Sequence, residues 1–301
     1  MTTAKRNRRW LAVFACVFAL VGAACGDDTE PTDGSTGSPA QQFPAGTTMA
    51  ELQEAGEITI GVKFDVPPFG FKNPQTDEVE GFDIDLGKAI ADELGVEPTF
   101  IEAISDNRIP FLMDGTADLI LSTMTITTDR DAEIDFSIPY YIAEGRVLAP
   151  SDSDITGVDD LAGKTVCTAT GSTYEENLKA NAPDAELRLV DSYSECLELV
   201  QTDAVDAVST DDIILTGMII QDDTLKLVGD GYTTEPYGAG IADGDAEFKE
   251  FVDGVISDFI SDGRWASTYE NWVGQYSGEP SDPPTMTLEE ALKLSPCEEM
   301  C

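Results

Sequence analysis

Apolar and polar positions along the chain switch between two periods. From Glu57 to Val62 the apolar residues Ile58, Ile60 and Val62 recur at every second position, the spacing of a strand with a buried face. A Pro-rich loop follows, Lys63-Phe64-Asp65-Val66-Pro67-Pro68-Phe69-Gly70-Phe71. Leu86, Ile90 and Leu94 then recur at every fourth position. They predict a helix that starts at Asp83, placed to cap it, and stops at Gly95. Pro98–Ile101 reads as a second strand. The stretch after Asn107-Arg108-Ile109-Pro110 reads as a short helix to Gly115, and the apolar run Ala117–Leu121 as a buried strand. This β-α-β-α-β alternation predicts an α/β layout with a largely parallel sheet.

The chain leaves this unit through Tyr140–Arg146. A second unit begins with a strand at Val147–Ala149 and has a core strand at Thr165-Val166-Cys167-Thr168. The turn Ala169-Thr170-Gly171-Ser172-Thr173 opens a helix through Ala180. Strands at Leu187–Val190 and Asp206–Ser209 alternate with helices at Ser192–Thr202 and from Asp211, and Leu225–Val228 brings the chain back. Tyr237–Ile241 and a helix over Asp245–Asp262, with Phe248, Val252, Val255 and Phe259 on one face, rejoin the first unit. Trp265, Tyr269 and Trp272 read as docking aromatics at its end.

The two ends of the chain have a different character. Lys5, Arg6, Arg8 and Arg9 precede an apolar run from Trp10 to Val21, then Gly22-Ala23-Ala24 and Cys25. This is the layout of a signal peptide over residues 1–24, too short for a membrane span. A Cys straight after small residues resembles a bacterial lipobox, which implies lipidation of Cys25. Gly22 departs from the Leu-like residue usual three positions before that Cys. Residues 25–48 hold few large apolar groups and read as a flexible linker from the lipidated Cys25. In the tail, residues 278–301, Leu288, Ala291, Leu292 and Leu294 suggest one short helix.

Charge narrows the choice of partners. The chain has 17 Lys+Arg against 58 Asp+Glu, a net −41; loss of the four N-terminal cations leaves −45. So acidic a surface excludes nucleic acid and leaves a lipid anchor as the sole link to a membrane. It also repels an anionic ligand, so such a ligand needs local cations. There is no His, which removes His-based triads and His metal sites. Gly238-Ala239-Gly240 lacks the third glycine of a dinucleotide fingerprint, and Asp83-Ile84-Asp85 lacks the rest of a calcium loop. No cofactor, metal or catalytic residue is expected.

The candidate chemistry centres on Ser122-Thr123-Met124-Thr125-Ile126-Thr127-Thr128-Asp129-Arg130. It lies between a strand and a helical turn and carries hydroxyls, backbone N–H groups and one arginine. Such a corner suits a small carboxylate, because the guanidinium offers a bidentate fork and the helix start adds donors. The same residues also fit a Thr-rich capped turn beside a surface arginine. The stretch resembles the S-T-M-T-I-T-x-x-R signature of the family 3 extracytoplasmic solute-binding proteins, the amino-acid receptors of ABC importers. Gly81-Phe82-Asp83-Ile84-Asp85-Leu86 and Asp135-Phe136-Ser137-Ile138-Pro139-Tyr140-Tyr141 extend the match, which runs from about Ile58 to Gly274.

The resemblance implies the type II periplasmic-binding-protein fold: two α/β lobes, joined by two crossing hinge strands, with the ligand between them. Its divisions fall at 49–145 for the first part of lobe 1, 146–232 for lobe 2 and 233–277 for the second part of lobe 1. The hinges are expected at about 142–146 and 232–236. The resemblance also implies roles for individual residues. Arg130 holds the α-carboxylate, with the N–H groups of Thr125 and Thr173. The Thr123 carbonyl, the Thr125 hydroxyl and Asp211 hold the α-ammonium. Lys63 stands where relatives carry a specificity residue, and Asn107-Arg108-Ile109-Pro110 resembles the N-R-I-P of glutamate-binding members. Two cations there suit an anionic side chain, with Ser172 and Thr210 adding contacts, so glutamate is expected first and aspartate second. A polar amino acid such as glutamine, or a dehydratase-like enzyme on the same fold, is the alternative. The expected protein is a monomeric, non-catalytic lipoprotein outside the cytoplasm that serves an ABC permease. Resembling proteins of Gram-positive bacteria carry cysteines at the positions of Cys167 and Cys196, which implies a disulfide between them; Cys297 and Cys301 remain as a second possible pair.

Overall fold

The computed structural model describes residues 42–277 and 281–294. The expected signal peptide, Cys25, Cys297 and Cys301 lie outside the described residues. The linker expected to reach residue 48 gives way to packed structure before that. Phe43 meets Phe251 edge-on at 5.3 Å, Thr47 caps the helix Thr48–Ala55, and Met49 and Leu52 are buried. Three apolar side chains in ten residues supply burial that the polar stretch before them lacks.

Each lobe is built on a five-stranded sheet. In lobe 1 the order is Glu97–Glu102, Glu57–Val62, Leu119–Ile120, Gly240–Ala242, Ile134–Phe136. The first three run parallel, and Gly240–Ala242 inserts antiparallel after the chain returns from lobe 2. In lobe 2 the order is Glu186–Val190, Thr165–Ala169, Ala207–Asp211, Tyr141–Pro150, Leu225–Tyr237. The alternation of Ile58, Ile60 and Val62 is realised as three fully buried side chains. The helix Phe82–Leu94 lays Leu86, Ile90 and Leu94 into the same core and ends on left-handed Gly95.

Tyr141–Pro150 and Leu225–Tyr237 are the two crossing strands. They pair antiparallel with each other in two stretches, Tyr141–Gly145 with Thr233–Tyr237 and Val147–Pro150 with Leu225–Val228. The register shifts between Val228 and Thr233. The hinge expectations at about 142–146 and 232–236 overlap the first of these stretches, with Arg146 and Tyr232 just outside it. Trp265 closes the junction: its indole N–H donates to the Tyr140 carbonyl at 2.7 Å, and its ring stacks on Tyr269. The tail helix Leu288–Leu292 begins with a capping box of Thr287 and Glu290 and buries Ala291 in a cluster with Ile134 and Phe136.

Asp83 corrects the sequence reading. The helix Phe82–Leu94 has Gly81 at its N-cap, without a side-chain cap bond, and the Asp83 side chain turns into the protein, fully buried. A β-carbon at Gly81, which sits at φ 137°, would collide with the Phe69 carbonyl, so the helix start is pressed against the Pro-rich loop. That contact fixes the direction in which Asp83 points.

Candidate functional site

The corner after Leu119–Ile120 takes its shape from alternation. Met124 and Ile126 go into the core of lobe 1, which leaves Thr123 and Thr125 facing lobe 2. The Thr127 hydroxyl then accepts from the Arg130 N–H at 3.2 Å and caps the turn Thr128–Asp131. This cap aims the half-buried Arg130 back along its own loop. Its guanidinium donates to the Thr125 carbonyl at 2.7 Å and, across the cleft, to the Gly171 carbonyl at 3.0 Å.

Lobe 2 supplies the facing wall. Gly171 adopts φ 74° between the strand Thr165–Ala169 and the helix Tyr174–Asn181. A β-carbon there would stand 2.6 Å from Asp106 Cα of lobe 1, so only glycine permits this approach. Ser172 and Thr173 follow on the cleft wall. Asp211 is the N-cap of the helix Asp212–Gln221 but makes no side-chain cap bond; it accepts from the Tyr174 hydroxyl at 2.9 Å. Thr173 and Asn177 donate to Glu235, a buried acid on the second crossing strand, at 3.0 and 2.8 Å.

Lobe 1 adds two further cations, Arg108 on the cleft and Lys63 one residue back from it. Lys63 is buried; it donates to the Ser105 hydroxyl at 2.8 Å and lies 5.8 Å from the centre of the Tyr193 ring. The Tyr193 hydroxyl accepts from Thr210 at 2.7 Å. Arg108, also buried, donates to four carbonyls: Ser105, Ser122 and Thr123 in lobe 1 and Gly171 in lobe 2, at 3.0–3.2 Å. Arg108 therefore holds the backbone that shapes the cleft.

The walls enclose about 10 Å³. Arg108, Thr123, Thr125, Arg130, Ser172, Thr173 and Asp211, seven of the nine ligand-binding positions expected from sequence, meet on it. Lys63 and Thr210 stand one residue back, behind Ser105 and Tyr193. Ser105, Tyr174 and Tyr193 also line it and escaped the sequence reading. The one local sign of Tyr193 was its place directly after the helix-capping Ser192. A larger cavity of about 280 Å³ opens towards the crossing strands and shares Thr125 and Thr173, but Arg130 and Asp211 are not among its walls.

Burial dominates the electrostatics. It holds the Lys63 ammonium well below its ordinary range, and the Arg108 charge adds to the effect. It brings Arg108 down to about 9, with Arg130 contributing, and lowers Arg130 itself. Asp211 is pushed well up by burial and then by Glu235. Among the described residues no direct ion pair relieves these four groups. The arrangement can therefore stabilise a ligand that brings both a carboxylate and an ammonium.

The disulfide Cys167–Cys196 is formed, with 5.5 Å between its Cα atoms. It ties the strand that leads to Gly171 to the helix that carries Tyr193.

Two α/β lobes on crossing strands, with cations and an acid meeting between them, define a two-lobed receptor for a small charged solute. The chain belongs to the bacterial extracellular solute-binding proteins, family 3, whose model matches residues 58–275. It is 35% identical over 273 residues to the ABC transporter glutamine-binding protein GlnH of Bacillus subtilis, covering 89% of this chain and 98% of that one. It is 37% identical to the glutamine-binding protein of Geobacillus stearothermophilus (79% and 95% covered) and 31% identical to the glutamate-binding protein GluB of Corynebacterium efficiens (76% and 81% covered). The solved structure of an ancestral arginine-binding protein bound to glutamine superposes with a TM-score of 0.70 at 35% identity, over 73% of this chain and 98% of that one. No helix among the described residues is long and apolar enough to cross a membrane.

Proposed function

We propose that this protein captures an acidic amino acid, glutamate before aspartate, by closing its lobes, and delivers it to an ABC permease. The meeting of Arg108 and Arg130 on a cleft with one lining carboxylate, Asp211, with Lys63 directly behind its Ser105, carries the reading. Arg130 and the N–H groups of Thr125 and Thr173 take the α-carboxylate. Asp211, the Thr123 carbonyl and the Thr125 hydroxyl take the α-ammonium. Lys63 donates one N–H to Ser105, so the ammonium has donors left for the distal carboxylate, beside Ser172 and Thr210. Arg108 contributes its field, since its N–H groups already serve four carbonyls. Lys63 and Arg108 thus offset locally the repulsion of a chain with net charge −41. One chain supplies both walls, which supports a monomer. Lipidation of Cys25 would hold it at the outer face of the cell membrane, and the mass of the mature N-terminal peptide tests that step.

Glutamine is the second reading, favoured by the 35% and 37% identical relatives that bear that name. The hydroxyls of Ser105, Ser172 and Tyr193 would then serve a side-chain amide.

Calorimetric titration with glutamate, aspartate, glutamine and asparagine, at low and high salt, separates the two. Tight 1:1 glutamate binding with weak glutamine binding is expected. Equal or better glutamine binding would keep the receptor role and overturn the assignment of Lys63. Binding of none of the four would overturn the amino-acid reading. Substitution of Arg130→Ala is expected to cost roughly 3–5 kcal/mol of binding, because it leaves a buried carboxylate unpaired.

A further inference from the structure

Among the described residues, Asp83 is the buried acid that lines neither the cleft nor the larger cavity beside it, and it makes no direct ion pair. Asp83 is fully buried, yet its two oxygens reach two different parts of the molecule. Oδ2 accepts from the Thr123 N–H at 3.1 Å, and Oδ1 accepts from the Tyr140 hydroxyl at 2.8 Å. Thr123 belongs to the ligand corner, whereas Tyr140 is the last residue before the first crossing strand, Tyr141–Pro150.

Both partners are held at sensitive points. Thr123 adopts φ 44°, a left-handed backbone that β-branched residues rarely take. Such a conformation persists only where its surroundings over-determine it. Arg108 grips the Thr123 carbonyl from one side and Asp83 grips its N–H from the other. The Tyr140 N–H donates to the Tyr237 carbonyl at 2.9 Å, where the chain returns from lobe 2. The Tyr140 carbonyl is held by Trp265. One carboxylate therefore joins the corner to the place where both crossing strands enter lobe 1.

We infer that Asp83 is a positioning residue for amino-acid binding: through Thr123 and Tyr140 it sets the ligand corner against the crossing strands. The inference rests on the cleft being the amino-acid site. Asp83 acts through hydrogen-bond geometry, and its charge is secondary. Burial already pushes its carboxyl up to about 7, against the hydrogen bonds from Tyr140 and Thr123 and the charges of Lys63 and Arg108. An asparagine keeps the geometry: its Oδ1 accepts from Thr123, and its Nδ2 donates to a Tyr140 hydroxyl whose hydrogen turns away. An alanine removes both bonds and leaves Thr123 without its clamp.

The test compares the full chain with its D83A, D83N and Y140F variants by calorimetric titration against whichever of glutamate, aspartate, glutamine and asparagine the unaltered protein binds. D83A is expected to bind about tenfold or more weakly, by the same factor for every amino acid, with its circular dichroism intact. D83N is expected to stay within about threefold of the unaltered protein. A role in folding alone would lower the melting temperature of D83A and leave Kd in place. A folded D83A with unchanged Kd overturns the inference, as does a D83N that loses as much as D83A. Should D83A not fold, Y140F decides, since it keeps the ring and the Asp83–Thr123 bond. A loss of about threefold supports the inference, and an unchanged Kd overturns it. Failure of the unaltered protein to bind any amino acid would instead overturn the reading on which the inference rests.

Discussion

Gly217 of lobe 2 lies against the carbonyl of Pro67 on lobe 1, so close that a β-carbon would collide with that oxygen. It is a second contact between the lobes, apart from that of Gly171 with Asp106. Beside it, the Ser194 N–H donates to Asp65 at 3.0 Å. Gly217 sits inside the helix Asp212–Gln221, where alanine is favoured over glycine by about 1 kcal/mol. Gly217→Ala should therefore leave the unliganded melting temperature unchanged or raised. It should also weaken ligand binding about tenfold or more, because the lobes can no longer meet there. Titration together with the radius of gyration from small-angle scattering, with and without ligand, checks both halves. Unaltered affinity would mean that this contact plays no part in closure.

Arg108 and lysine should not be interchangeable. Four carbonyls take the N–H groups of Arg108, in a planar array that an ammonium cannot reproduce. Arg108→Lys keeps the charge but strips buried carbonyls of donors, at roughly 1–3 kcal/mol for each group left unmade. We expect a lower melting temperature and weaker binding of all amino acids alike. If Arg108 instead reads the distal carboxylate directly, the loss falls on glutamate and spares glutamine.

Asp83 predicts a pH dependence of stability. Its folded-state value is raised from the ordinary 3.8 to about 7, so between those values the folded protein holds a proton that the unfolded chain has released. The stability this contributes is complete below about pH 4 and is lost as pH rises through about 7. D83N removes the titration. The two proteins should match near pH 4, and D83N should become the more stable by pH 8, by at most about 4 kcal/mol. Asp211 is also raised, but it is common to both proteins and drops out of the difference. A melting-temperature difference that stays flat from pH 4 to 8, measured without ligand, would refute the assignment.

The disulfide should matter to both stability and binding. It closes a segment of 29 residues, for which the chain-entropy account gives roughly 3–4 kcal/mol. C167A/C196A is expected to lose about that much in denaturant titration. Because the bond joins the Gly171 side of the cleft to Tyr193, ligand affinity should fall as well. Loss of stability with affinity intact would confine the bond to a scaffolding role.

What the chain determines by itself is local. The spacings of Ile58, Ile60 and Val62, and of Leu86, Ile90 and Leu94, specify strand and helix because burial of one face has a fixed period. The alternation that buries Met124 and Ile126 leaves Thr123 and Thr125 at the cleft, and the Thr127 cap aims Arg130, so most of this side of the cleft was legible in nine consecutive residues. Lys63, Arg108 and Asp211 were singled out through resemblance, but their hydrogen-bond partners were not. The helix-start pattern at Asp83 is the same whether its side chain caps the helix or turns inward. Packing of Gly81 against Phe69 decides between them, and the bonds that follow reach residues 40 and 57 positions away. Arg108 likewise became the holder of four carbonyls only once Gly171 arrived from the other lobe. Periodicity is set within a few residues. A buried hydrogen bond needs two segments that only the folded chain brings together.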